Sequence, residues 1–423
     1  MLAFTFPGQG SQRPGMGRAW VAHPSWEVVG EASEVAGRDI GRLLLDADLA
    51  ELTLTANAQL ATLVASLVVL DAVERLGLVP AACAGHSLGE YSALVASGCI
   101  ALEEAIGLVA ERGQAMHEAA DGQPGAMAAV LGADDDAVDA ACRRAEGDVW
   151  LANFNAPGQV VIAGAPEAVA AAGDLARELG ARKVMPLPVE GAFHTPLMAS
   201  ARPRLRKALA ATTFFDPDVP VVANVDARAH SRAAEWPGLL SAQLCSPVRW
   251  RQSLETLGAR GVTCVAELGP GGVLTGLARR SLTGATAVAV TKPEDLEALV
   301  EAAAGTGTWH AYAAAHQGEM LYSAERVVVA PQAGEFHPVA TFGVPGPEAL
   351  APVAGGGAGG ASPRTGAAGA PVLAVGDLVG HVGTVEARTP FGGALVAFLA
   401  HDGERVSEGQ PLAWLRVATE GDA

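Results

Sequence analysis

The segment spanning residues 79–98 leaves the chain few choices of fold. Val79-Pro80-Ala81-Ala82-Cys83-Ala84 is short, small and apolar, as a buried parallel strand is. Gly85-His86-Ser87-Leu88-Gly89 follows at once, and Glu90-Tyr91-Ser92-Ala93-Leu94-Val95-Ala96 then offers good helix formers up to a stop at Ser97-Gly98. A serine between two glycines at such a junction is forced into a sharp turn, so its hydroxyl stands clear of the sheet. The glycines let strand and helix come close. Glycine supplies 51 of the 423 residues, so the five-residue pattern alone carries little weight. Its position between a strand and a helix is what marks Ser87 as a nucleophile.

Alternation continues on both sides of this elbow. Strand-like runs at Ala3–Phe6, Ala81–Ala84, Val160–Ala163, Val219–Val225, Thr263–Leu268 and Ala287–Val290 are separated by Ala/Leu/Glu-rich stretches of helical length. That order predicts a mostly parallel α/β sheet over residues 1–304. Residues 125–188 read as an insert: strand (Ala126–Leu131), helix (Asp135–Ala145), two strands, helix (Glu167–Leu179) and strand (Ala181–Pro186). A βαββαβ order predicts a ferredoxin-like sandwich. Composition changes after residue 304. Gly305-Thr306-Gly307-Thr308 opens a linker over 305–324, and short β-branched runs over 325–418 predict a small all-β domain. Its Ala/Gly/Pro/Ser-rich stretch 343–371 has too little apolar surface to order itself and is expected to be flexible.

Several function classes are disfavoured. The five cysteines (Cys83, Cys99, Cys142, Cys245, Cys264) are scattered and show neither metal-ligand spacing nor a disulfide framework. The first residues lack a basic segment and meet Pro7 and Gly8 too early for a signal peptide. The most apolar stretch, Leu60 to Leu70, is closed by Asp71 and reads as too short to span a bilayer. A net charge of −18 without a basic run argues against nucleic acid. The expectation is a cytoplasmic enzyme with no metal, no membrane and no nucleic-acid partner.

Three further segments bear chemistry. Phe6-Pro7-Gly8-Gln9-Gly10-Ser11-Gln12 is a glycine-rich loop after the first strand, able to aim backbone N–H groups at a ligand. Gly191-Ala192-Phe193-His194-Thr195-Pro196-Leu197-Met198 puts a histidine in a loop before a helix. In the helix predicted over Ala101–Ala120, Arg112 shares a row with Leu108 and Met116, so a charge interrupts an apolar stripe. Taken singly, each has a bland reading: an ordinary loop, a structural histidine and a snorkelling arginine.

Together they resemble the malonyl-CoA:acyl-carrier-protein transacylase family, which includes acyltransferase domains of polyketide synthases. The markers are FPGQGSQ at 6–12, GHSLGEYSALVASG at 85–98, AERGQAM at 110–116, NFNAPGQVVIAG at 153–164, AFHTPLM at 192–198 and ELGPGGVLTGL at 267–277. The resemblance covers roughly residues 1–300 and implies an α/β-hydrolase-like core with the ferredoxin-like subdomain inserted. It implies Ser87 as the acyl-carrying nucleophile and His194, 107 positions later, as general base and acid. It assigns the backbone carbonyl of Gln243 to orienting the imidazole and the backbone N–H groups of Gln9 and Leu88 to the oxyanion hole. Arg112 would hold the malonyl carboxylate, with Met116, His86 and Gln59 lining the pocket. Phe193 before the histidine, with Leu88 after the serine, goes with malonyl over branched donors. Leu60 departs from the family, which usually has proline there. An acidic carrier protein would be met by Arg202, Arg204, Arg206 and Lys207, or by Arg279-Arg280.

Arg326–Phe336 and Asp402–Leu412 resemble the biotinyl/lipoyl carrier fold. Such domains carry their cofactor on a lysine, and no lysine occurs after Lys292, the nearest stretch being Val385-Glu386-Ala387-Arg388. Arginine is not acylated in its place, so neither biotin nor lipoate is expected, and no cofactor elsewhere. Two other functions stay in view: a trans-acting hydrolase that clears stalled acyl groups from carriers, against which Arg112 speaks, and a docking scaffold in the C-terminal module.

Overall fold

A computed structural model describes residues 1–304, 325–339, 372–373, 377–389, 393–398, 400–406 and 411–416. The chain divides into two compact units, Met1–Trp309 and His310–Ala423. The expected linker 305–324 and the loop 343–371 lie outside the described residues.

The first unit is built on a six-stranded sheet. Its strands are β1 (Leu2–Phe6), β2 (Ala82–Gly85), β7 (Val221–Val222), β8 (Ala229–His230), β9 (Cys264–Leu268) and β10 (Thr286–Val290), in the order β10-β9-β1-β2-β7-β8. All neighbours run parallel except β7 and β8. β1, β2 and β9 are buried at every position, which explains why they read as unbroken apolar runs and not as alternations. The run expected over Val219–Val225 pairs only at Val221–Val222. Pro220 has no N–H to give the ladder, and at Asn224 the chain leaves the sheet to bond elsewhere.

The insert comprises β3 (Ala126–Leu131), β4 (Val149–Ala156), β5 (Gln159–Gly164) and β6 (Lys183–Pro186), ordered β4-β5-β3-β6 and antiparallel throughout. Two helices, Asp135–Arg144 and Pro166–Glu178, close over one face around Val130, Val138, Ile162 and Val169. This is the ferredoxin-like arrangement expected from βαββαβ.

Numbered along the chain, the helices before the insert are α1 (Glu27–Ala36), α2 (Ile40–Leu45), α3 (Leu49–Thr53), α4 (Thr55–Arg75), α5 (Gly89–Ala96) and α6 (Leu102–Gly122). The apolar stretch read as ending at Asp71 is therefore a 21-residue helix, long and apolar enough to cross a membrane by length and composition. It is instead a core helix, its apolar window 89% buried inside the protein. Leu60 lies in its interior, so α4 runs unbroken where a proline would remove an N–H and crowd the carbonyl of Ala56.

The second unit holds two four-stranded antiparallel sheets among its described residues. The strands are β11 (Glu325–Val329), β12 (Gly334–Pro338), β13 (Val372–Leu373), β14 (Leu378–Val382), β15 (Val385–Arg388), β16 (Gly393–Phe398), β17 (Arg405–Val406) and β18 (Pro411–Arg416). Sheet orders are β11-β18-β16-β13 and β15-β14-β12-β17. The core includes Phe336, Val379, Val382, Leu395, Leu412 and Leu415. The β14–β15 hairpin turns at Gly383, whose φ of +61° suits glycine.

Candidate active site

Ser87 stands between β2 and α5 with φ at +53°, a left-handed conformation that a residue with a Cβ adopts only when its surroundings enforce it. Three glycines do the enforcing. A Cβ at Gly85 would lie 1.9 Å from the carbonyl carbon of Gly89, and one at Gly89 would lie 2.0 Å from the Phe6 carbonyl oxygen. One at Gly8 would come within 2.4 Å of the His86 carbonyl oxygen. Strand, helix and the loop after β1 thus meet at distances only glycine permits.

The Ser87 Oγ lies 2.7 Å from His194 Nε2. His194 Nδ1 is 2.9 Å from the backbone carbonyl of Gln243, at the end of a helix over Trp236–Gln243. A carbonyl only accepts, so Nδ1 carries the proton and Nε2 is left bare to receive the serine O–H. His194 is 4% exposed, and burial first, then the nearby Arg112 charge, lower its pKa to about 3. The imidazole is therefore neutral at pH 7, the form a base must have. Its φ is +62°, so base and nucleophile are both held in a disfavoured backbone conformation.

Arg112, from α6, is 1% exposed. Its NH1 donates to Gln59 Oε1 (2.7 Å), and its NH2 donates to Gln243 Oε1 (2.9 Å) and to Ser87 Oγ (3.2 Å). The guanidinium lies 5.4 Å from the centre of the Tyr91 ring. Nε has no hydrogen-bond partner among the described residues. A buried cation whose hydrogen-bond partners are all neutral is costly, and burial lowers its pKa from the usual arginine value. Among the described residues the site supplies Arg112 with no ion-paired carboxylate.

The remaining expected residues fall around this centre. Gln59 Nε2 contacts Met116 Sδ at 3.3 Å, and both residues are buried. Phe193 is buried beside the histidine, and the Leu88 side chain is fully buried. The backbone amides of Leu88, at the start of α5, and Gln9, in the loop after β1, donate to no other described group. His86 Nε2 lies 2.9 Å from Asn155 Oδ1, a contact from the insert. Of the basic clusters, Arg204 is paired with Glu111 and Glu118 at 2.7 Å each, and Arg280 is held by Gln159. Arg206 and Lys207 are exposed.

Sequence reading missed two residues beneath the elbow. Asn224 accepts the Ser87 N–H through Oδ1 (2.7 Å) and donates through Nδ2 to the Gly85 carbonyl (2.6 Å). Glu90, fully buried, accepts the Asn224 N–H and the Gln243 Nε2 amide at 2.6 Å each. Burial pushes the Glu90 carboxyl up to about 8, against those hydrogen bonds and the Arg112 charge. The available signals were a charge directly after the second elbow glycine and a polar residue at the end of a parallel strand.

A family model described as acyl transferase domain matches residues 3–321. The malonyl CoA-acyl carrier protein transacylase of Bacillus subtilis (strain 168) is 42% identical over 305 residues, 71% of this chain and 96% of that protein. The enzyme of the same name from Escherichia coli (strain K12) is 44% identical over 307 residues, 71% of this chain and 99% of the relative. An acyl carrier protein S-malonyltransferase structure from Vibrio cholerae matches with a TM-score of 0.68 at 44% identity, over 70% of this chain and 99% of the other. A malonyl-transacylase solved in complex with its type II polyketide acyl-carrier protein matches at 40% identity with a TM-score of 0.68, over 71% of this chain and 99% of that one.

Proposed function

The chain belongs to the malonyl-CoA:acyl-carrier-protein transacylase family, and from that premise we propose that Ser87 and His194 carry the malonyl group in two steps. The protein is an acyl-carrier-protein S-malonyltransferase, acting in fatty acid or polyketide synthesis. In the first step Ser87 Oγ attacks the thioester carbonyl of malonyl-CoA while His194 Nε2 takes its proton. The C–S bond breaks, and the proton passes to the departing CoA sulfur. In the second step Nε2 takes the proton of the carrier thiol. A C–S bond forms, the ester C–O bond breaks, and the proton returns to Oγ. The N–H groups of Leu88 and Gln9 receive the oxyanion; losing one such donor typically costs about 10²–10³ in rate.

The observation that carries this reading is the buried cation beside the dyad. Arg112 has a free Nε donor and neutral hydrogen-bond partners, so a substrate carboxylate would supply the countercharge that the described residues do not. Phe193 leaves little space for an α-branch, which favours malonyl over methylmalonyl donors by about 1–3 kcal/mol. No cofactor takes part in this chemistry. Arg206 and Lys207 are the exposed cations available to an acidic carrier, since Arg204 is already paired. The five cysteines, free thiols here, suit a reducing cytoplasm. We further propose that the second unit is a biotinyl/lipoyl-like β domain without its modified lysine, retained for contact with a carrier or partner enzyme. Intact-mass measurement after mixing with malonyl-CoA tests the core of this reading. A malonyl adduct is expected on the native chain and none on Ser87→Ala; an adduct on the variant would refute it.

A further inference from the structure

Glu90 is the buried acid that the two-step reaction leaves without a task. It lies three residues after the nucleophile, at the start of α5, and its carboxyl bonds to neither Ser87 Oγ, His194 nor the Arg112 guanidinium. Both hydrogen bonds to its carboxyl come from N–H donors that belong to the machinery. One is the Asn224 backbone amide, whose side chain accepts from the Ser87 amide. The other is Gln243 Nε2, which also donates to the Ser87 carbonyl at 2.9 Å. At its other end Gln243 Oε1 accepts from Arg112 NH2. A side-chain amide can point either way, and here its two neighbours decide. Glu90 presents acceptors and Arg112 presents only donors, so nitrogen must face the one and oxygen the other.

Resting on the reading of Arg112 as the carboxylate-binding residue, we infer that Glu90 is a positioning residue for malonyl selectivity: it fixes the Gln243 amide so that Oε1 pins the Arg112 guanidinium beside Ser87. The inference rests on the chain Glu90–Gln243–Arg112–Ser87, each link within 2.6–3.2 Å. It explains why a carboxyl is tolerated at zero exposure: the energetic cost of burial is offset by one N–H donor on each carboxyl oxygen and a defined geometry at the site.

Glu90→Gln is the informative change, because it keeps the shape and removes one acceptor. The new carboxamide has one oxygen for two N–H donors. The Asn224 amide is fixed by the backbone, whereas the Gln243 amide can turn about its last torsion. Left in place, the Gln243 nitrogen faces an amide donor; if Gln243 flips, it gives up its bond to the Ser87 carbonyl, offers its oxygen to the new amide and turns its nitrogen toward Arg112. Arg112 then loses an acceptor and meets a donor.

The full chain, with Glu90→Gln, Glu90→Asp and Arg112→Ala variants, is compared for loading of Ser87 from malonyl-CoA and from acetyl-CoA, with KM and kcat read separately. Glu90→Gln should lower the malonyl-to-acetyl preference by about tenfold, chiefly through a raised malonyl KM, as expected for a weakened hydrogen bond to a charged group. Acetyl loading should fall by a clearly smaller factor than malonyl loading. Glu90→Asp, still an acceptor at both oxygens, should retain most of the preference. An unchanged ratio in folded Glu90→Gln, or equal losses for both donors, overturns the inference. If Glu90→Gln does not fold, Glu90→Gln combined with Gln243→Glu restores a donor–acceptor pair across the same contact but sets an anion against Arg112. Malonyl loading should then fall by a much larger factor than acetyl loading, and equal losses for the two donors overturn the inference. Arg112→Ala keeps the two ideas separable: if it leaves the malonyl preference intact, the reading of Arg112 fails whatever Glu90 does.

Discussion

The two units of the chain treat charge in opposite ways. The first buries Arg112, Glu90, His194 and Glu267. Among the described residues of the second, everything buried is apolar except Thr389. Ionisable groups are removed from water at a free-energy cost, and folds keep them where chemistry needs them. The first unit keeps two active-site residues at positive φ and packs backbone against backbone at Gly85 and Gly89. The second has a plain hairpin and an aromatic contact between Phe336 and Phe398, with ring centres 6.0 Å apart. One region is organised around a reaction, the other around its own core.

The contrast is most exposed at His194. Replacing it by alanine should slow malonyl transfer by about 10²–10⁴, the usual range for a general base, measured as single-turnover loading of Ser87. Transfer within tenfold of the native rate would mean that the dyad geometry is incidental.

Arg112→Ala should reduce malonyl loading on the order of 10²-fold, as truncating one partner of a buried charge pair does. Acetyl loading should fall much less, because only malonyl brings a second anion. The comparison corrects for any general damage to the pocket, and parallel losses would reduce Arg112 to a structural cation.

A smaller effect separates His194 from ordinary surface histidines. Its folded pKa, about 3, lies below the unfolded 6.5, so the native imidazole stays neutral as pH falls through that window. The kcat/KM profile for malonyl loading should therefore show no acid limb near pH 6.5. In the same window the unfolded chain takes up a proton that the folded one refuses, so this residue's contribution makes stability fall as pH drops from about 6.5 toward 3. A limb centred at 6.5 would show an imidazole open to water.

The least effect is expected from removing the second unit. Truncation after residue 321, where the family match ends, should leave Ser87 loading near normal, since relatives covering 71% of this chain are aligned over 96–99% of their own length. Transfer to the native carrier should weaken if the unit raises a partner's local concentration. A folded truncated chain that cannot load malonyl would erase the distinction between the units, and streptavidin capture of the intact chain would refute the absence of biotin.

Much of the first unit was legible because its signals are local. The buried strands, the elbow and the βαββαβ order each occupy one continuous stretch, and the six motifs tied His194 and Arg112 to Ser87 by resemblance. What stayed hidden depends on distant pairing. Asn224 meets Gly85 across 139 residues only because β7 lies beside β2. Gln243 was expected to act through its carbonyl, which it meets, but its side-chain bridge between Glu90 and Arg112 requires three segments to converge. Arg204 looked like a docking charge because its partners, Glu111 and Glu118, are 93 and 86 positions away.

Helix α4 has a consequence for how the protein is made. It leaves the ribosome early, yet one of the strands it packs against, β9, ends 193 residues later. At about 5–20 residues per second, that strand is roughly 10–40 s away when α4 emerges. Two later partners, α5 and α6, are nearer, and α6 is complete within about 2–10 s at the same rates. Through that interval α4, an apolar helix of membrane-spanning length, is covered only by earlier segments, α1, α2 and α3 among them, and then by α5, and the rest of its apolar surface is the kind that chaperones and targeting factors recognise. Pairing with α5 and α6 adds to that cover, so slowing translation between residues 75 and 122 should raise aggregation more than an equal pause after residue 268.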